Sequence, residues 1–176
     1  MKSLLASVAV VTFCFSVAAG PLAANAHEGL VHDGCAPGQM FTAGDLEISG
    51  AFTRATLPAA KVAGGYLTIE NRGATAERLL GGSTEAAERL EIHQMEMDGD
   101  TMKMSRIEDG LEIPPGQTVT LAPGGYHLML IGLVSPFTEG ECLEVTLQFE
   151  QAGEVPVVLD IGGIAADAAP EGHSGH

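Results

Sequence analysis

The segment His93-Gln94-Met95-Glu96-Met97-Asp98-Gly99-Asp100-Thr101-Met102-Lys103-Met104 holds one imidazole and four thioethers. The whole chain has only seven methionines, the initiator among them, so their concentration here requires a cause. A thioether is a soft, neutral donor and imidazole a borderline one. Together they suit Cu(I), whereas Mg, Ca and Mn prefer oxygen. The same pair of donor types recurs at His127-Leu128-Met129. Methionine also fills irregular cores well, so geometry has to separate ligands from packing.

Strands set that geometry. Asp98-Gly99 between two alternating segments is a hairpin signal, because a type I′ turn needs positive φ at both central residues. With Asp98 and Gly99 as a two-residue loop, Met95 faces Met102 and His93 faces Met104; a four-residue loop pairs Met95 with Met104 instead. The shift is even, so His93, Met95, Met97, Met102 and Met104 project from one side in either case. The other side carries Leu90, Ile92, Gln94 and Glu96 on one strand and Lys103, Ser105 and Ile107 on the other. It is polar near the turn, which leaves core packing of the methionines as an alternative. Two features favour ligation. His93 shares the methionine face, and His127 and Met129 share a strand face while Leu128 and Leu130 take the side expected of a core.

The elements around these residues read as short strands. Alternating or apolar runs occur at 46–52, 65–71, 88–97, 101–108, 118–122, 126–133, 142–150 and 155–161. Gly or Pro clusters separate nearly all of them, among them Pro114-Pro115-Gly116 and Pro123-Gly124-Gly125. That spacing predicts an all-β, antiparallel sandwich or barrel of about seven to nine strands. One helical turn or two is expected at 83–90, and no internal repeat is present. Residues 27–44 are Gly-rich and aperiodic and read as an N-terminal extension; 163–176, small and polar, read as a flexible tail.

Residues 1–26 have the form of a secretory signal peptide: Lys2, an apolar run over 4–19, and the small-x-small site Ala24-Asn25-Ala26. The run is short for a membrane span, and Val11-Thr12-Phe13 lacks the small residues that a lipid-modified Cys14 would need. A soluble, periplasmic protein without membrane insertion is expected. After cleavage the chain carries 7 basic and 23 acidic residues, a net charge of −16. Such a surface repels nucleic acid and anionic lipid and favours cations. Cys14 leaves with the signal, and the two cysteines that remain, Cys35 and Cys142, are expected to pair in an oxidising compartment. The alternative is a thiolate copper site. Cleavage also makes His27 the N-terminus, where the free amine and imidazole, with His32 nearby, could chelate Cu(II); His173 and His176 offer the same in the tail.

His93, ten residues, Met104, then 22 residues and His127-x-Met129 resembles the periplasmic copper chaperone family PCu(A)C. The stretch GLEIPPGQTVTLAPGGYHLMLIGL (110–133) and the strand GGYLTIEN (64–71) are similar to the same family, over roughly residues 45–162. The interval of 22 is one longer than the family pattern. The resemblance implies a cupredoxin-like barrel, a monomer and no enzyme, binding one Cu(I) through His93, Met104, His127 and Met129. Met95 would be a supporting ligand, with Met97 and Met102 a soft rim. It also implies delivery of copper to a copper-accepting oxidase subunit, alongside a Sco-like thioredoxin-fold partner.

Copper sequestration is the alternative use of the same site. An electron-transfer cupredoxin fits less well, because blue-copper sites need a Cys thiolate with two His and Cys142 lacks a close Cys-His-Met loop. A copper monooxygenase built on His27 fits least, for want of a substrate site.

Overall fold

The computed structural model describes residues 31–33 and 38–170, all of it strand, turn or loop. Twelve strands are present among the described residues: β1 (Val31–Asp33), β2 (Phe41–Ala43), β3 (Leu46–Arg54), β4 (Val62–Asn71), β5 (Glu77–Ser83), β6 (Ala87–Asp98), β7 (Thr101–Arg106), β8 (Leu111–Ile113), β9 (Thr118–Leu121), β10 (Tyr126–Leu133), β11 (Glu141–Phe149) and β12 (Gly153–Gly162). Seven close into a barrel in the order β11-β12-β3-β4-β10-β6-β5, with β5 pairing back onto β11. Every neighbouring pair is antiparallel except β12 and β3, which run parallel with Asp160 opposite Phe52. The other five strands each pair with one strand of the ring: β1 with β11, β2 with β3, β7 with β6, β8 with β5 and β9 with β4.

The interior is filled by alternate residues of the ring strands, as a barrel of this size requires. Ile48, Leu67, Leu79, Ile92, Leu128, Leu130, Leu143, Leu147 and Leu159 are all essentially inaccessible. Because side chains alternate across a strand, burying Ile92 and Leu128 turns His93 and His127 outward. The face carrying the chemistry is thus fixed by the core beneath it.

β5 was not expected, and its absence from the sequence reading has a local cause. Gly81-Gly82 reads as a turn, yet here it carries the strand past β11. A Cβ on Gly82 would come within 2.5 Å of the Thr146 carbonyl and 3.3 Å of Leu147 Cα. Only a bare backbone closes the ring at this point. The helix expected at 83–90 is absent. Ser83 ends β5, a turn covers Glu85 and Ala86, and Ala87 begins β6. The helix propensity of that segment is outweighed by burial of Leu90 and Ile92 on one strand face.

The extension also contributes structure. β2 forms a hairpin with β3 through Gly44-Asp45, and β1 pairs with β11 with His32 opposite Cys142. Cys142 is disulfide-bonded; Cys35, its expected partner, lies outside the described residues. Residues 163–170, expected as flexible tail, are held on the barrel: Arg54 Nε donates to the Ala166 carbonyl at 2.7 Å and its Nη2 pairs with Asp167 at 2.9 Å.

Candidate metal centre

β6 lies between β7 and β10, so His93 has a neighbour on each side. On β10 its partner is His127, directly across the ladder, with the ring centroids 5.9 Å apart and inclined at 47°. On β7 its partner is Arg106, and Met104 stands diagonally, directly opposite Met95. Of the two expected registers the structure has the one that pairs Met95 with Met104, and not the one that pairs His93 with Met104. The reason is the turn: Gly99 and Asp100 form the loop, Asp98 pairs with Thr101, and only Gly99 has positive φ, +64°. One positive φ at the first central residue is the requirement of a type II′ turn rather than I′. The shift is even, so the face is as expected, and Met129 joins it opposite Glu91.

That face is not core. Met97, Met102 and Met104 are 60%, 51% and 48% exposed, and Met95 and Met129 are half-buried. The two histidines are more sheltered, His127 at 6% and the side chain of His93 at 13%.

A loop holds His127. Leu67 and Gly65 on β4 are two residues apart, yet their partners Leu121 and Leu128 are seven apart. β9 and β10 thus lie end to end along β4, and the surplus chain is extruded around Pro123-Gly124-Gly125. The Gly125 amide donates to the Ala122 carbonyl at 3.0 Å, with Gly124 at φ +84°. Pro then Gly at the two central positions is the sequence of a type II turn. The Gly125 carbonyl accepts twice, from the Met95 amide at 3.1 Å and from His127 Nδ1 at 3.0 Å. A carbonyl only accepts, so Nδ1 of His127 carries the proton and Nε2 keeps a free lone pair.

A carboxylate holds His93. Glu91, two residues back on the same face, sits 3.0 Å from His93 Nε2. Its carboxyl is held below the usual range, first by this hydrogen bond and then by Arg106 and Arg89, against the opposing effect of burial. Those guanidinium groups lie 3.5 and 3.7 Å from it. With Nε2–H donating to the carboxylate, Nδ1 of His93 is left as an acceptor. It is buried and is the one such side-chain nitrogen or oxygen without a partner among the described residues.

An unsatisfied buried polar atom costs about 1–3 kcal/mol, and an imidazole whose second nitrogen is fixed by an oxygen is how metal-binding histidines are held. Both histidines have that arrangement, and both free lone pairs belong to neighbouring rings. Among the described residues no three His, Cys, Asp or Glu side chains gather as a hard-metal site would need. By register, Met95 and Met104 lie one rung from His93 on the side of the turn, and Met129 lies two residues from His127 on β10.

Of the other expected metal residues, His27, His173 and His176 lie outside the described residues. His32 belongs to β1, on β11, with β5 between that strand and β6. It is not brought to the imidazole pair. Cys142, in its disulfide, offers no thiolate, which removes the ligand a blue-copper site requires. Sequence reasoning missed Glu91, Arg106 and the Gly125 carbonyl. Glu91 was accessible to it, since the alternation that aligned His93 with Met95 also aligns residue 91.

Fold and site together define a cupredoxin-like β-barrel that carries two adjacent imidazoles and a row of methionines on one side of β6, β7 and β10. The family model for LpqE-like proteins, described as "Putative lipoprotein LpqE-like", matches residues 46–161, and the chain belongs to that family. A relative from Leifsonia xyli subsp. xyli, "Putative lipoprotein Lxx21020", is 33% identical over 106 residues. The match covers 57% of this chain and 64% of that protein. Among solved structures, the apo PCuAC domain from PmoF1 is 30% identical with a TM-score of 0.62, covering 71% of this chain and 99% of its own. The copper-bound PCuAC domain from PmoF2 is 26% identical, TM-score 0.61, over 71% and 98%. The solution structure of CuI-DR1885 from Deinococcus radiodurans is 26% identical, TM-score 0.51, over 70% and 80%. The barrel is of the PCuAC type.

Proposed function

We propose that this protein is an exported, periplasmic Cu(I) metallochaperone. One Cu(I) is bound by Nδ1 of His93, Nε2 of His127 and the thioethers of Met104 and Met129, with Met95 in support. It is passed on for assembly of a respiratory oxidase copper centre, to a copper-accepting oxidase subunit or through a Sco-like thioredoxin-fold partner. The observation that carries the reading is the buried, unpartnered Nδ1 of His93, on a ring whose centroid is 5.9 Å from that of His127. The copper-bound state of two similar structures supports it.

Copper is cargo here, and the chemistry is ligand exchange without redox change. All four donors are neutral, so binding needs no thiol deprotonation and depends on keeping the imidazoles unprotonated. Glu91 and the Gly125 carbonyl fix which nitrogen of each ring is available. Met104, about half exposed, is the side on which an acceptor's donor atoms can enter.

Anaerobic Cu(I) titration against a chromophoric chelator tests the site. A 1:1 complex at the high-affinity site is expected. His127→Ala and Met104→Ala are each expected to weaken it by more than the roughly 10- to 100-fold typical of outer-sphere changes. Unchanged affinity in both variants refutes the ligand set. A deletion strain with normal oxidase activity at low copper refutes delivery.

A further inference from the structure

The four hairpin methionines form two rungs. Met95 is directly opposite Met104, and Met97 directly opposite Met102, all on the face of His93. The inner rung adjoins the imidazole pair; the outer rung does not. Beyond Gln94, β6 has left β10, and β7 pairs only with β6 among the described residues. The outer rung therefore stands on a two-stranded arm with no core beneath it.

Packing does not account for that rung. Met97 and Met102 are exposed, as is every residue of β7. Burying a methionine side chain is worth about 1.5–3 kcal/mol, and here that gain is forgone at two adjacent positions. Side chains directly opposite on an antiparallel pair have Cβ atoms about 4.5–5.5 Å apart. Methionine's three side-chain torsions let two such sulfurs turn toward one ion. Glu96 and Asp98 lie on the opposite face of the arm with Lys103, and Asp100 lies in the turn, so the arm as a whole is acidic.

We infer that the Met97–Met102 rung is a second, weaker Cu(I) site at the tip of the arm, with Met95 able to supply a further thioether. Soft donors select Cu(I) over the hard divalent cations that the acidic residues alone would attract. With fewer donors and no imidazole it binds less tightly than the His93/His127 centre. The site stands on the thioether register; the proposed function enters only in naming the inner centre as the tighter one.

The test uses the mature full-length chain with 13C-labelled methionine methyl groups, titrated anaerobically with Cu(I). The first equivalent is expected to shift the Met104 and Met129 methyls, and the second those of Met97 and Met102. Met97→Leu with Met102→Leu, conservative at exposed positions, should abolish the second step and leave the first affinity within about twofold. His93→Ala with His127→Ala should remove the first step and keep the Met97 and Met102 shifts, so that failure of the inner centre and failure of the rung are read separately. Methyls of Met97 and Met102 that stay unmoved through two equivalents overturn the proposal. So does a second equivalent retained in the leucine variant.

Discussion

Glu91→Gln isolates the carboxylate's share of Cu(I) binding. The substitution keeps the side chain's length and an oxygen acceptor but removes the charge 3.0 Å from His93 Nε2. Hydrogen bonds to charged groups contribute about 1.5–3 kcal/mol. This one is sheltered, with Glu91 and His93 side chains at 11% and 13% exposure. A neutral acceptor retains about 0.5–1.5 kcal/mol of that, so at 1.4 kcal/mol per factor of ten the lost difference of about 1–1.5 kcal/mol weakens Cu(I) binding by roughly five- to twelvefold. The change also leaves Arg106 and Arg89 without their shared counterion beside a site meant for a cation. Both effects have the same sign. The dissociation constant, measured by chelator competition, should rise by that factor while the thermal midpoint barely moves, because the two arginine pairs are partly exposed and contribute little to stability. Arg106→Leu is the control with the opposite charge change: it frees Glu91 for His93 and should bind Cu(I) at least as tightly as the parent. A Glu91→Gln affinity within about twofold of the parent, less than 0.5 kcal/mol, refutes the claim that the carboxylate prepares His93.

Gly82→Ala places a Cβ 2.5 Å from the Thr146 carbonyl, and overpacking of this kind costs about 1–3 kcal/mol, measurable as a lower urea midpoint. Asp160 is buried, and that burial raises its carboxyl pKa against a hydrogen bond from the Gly38 backbone. A raised folded-state value means the folded protein holds the proton more tightly, so stability falls as pH rises through the carboxylate range; Asp160→Asn should lessen that fall, and parallel pH profiles of the two proteins refute it. Cu(II)-loaded protein should show no intense thiolate charge-transfer band, because Cys142 is in a disulfide; such a band would contradict the thioether–imidazole assignment.

Period-two alternation was enough to place His93 with the four hairpin methionines on one side, and His127 with Met129 on one face of their strand, because burial of Ile92 and Leu128 obeys the same alternation. The exact partner of His93 was not readable, since moving the turn by one residue re-pairs every position while preserving the face. β5 escaped notice because Gly81-Gly82 signals a turn locally and a close strand crossing only once β11 is present. The segment 83–90 misled in the other direction, its Glu, Ala and Arg content favouring a helix that the barrel has no room for. Glu91 shares the readable alternation with His93, but among 23 acidic residues its type alone does not single it out; only its 3.0 Å contact with His93 Nε2 does.

The doubly used carbonyl of Gly125 has a mechanical consequence. It ties the His127 ring and the backbone of β6 at Met95 to a single atom. When the arm flexes, the ring moves with the strand that bears His93 and does not drift relative to it. The two imidazoles share one reference point, as two parts machined from a common surface do, and their separation tolerates motion of the arm that either strand alone would not.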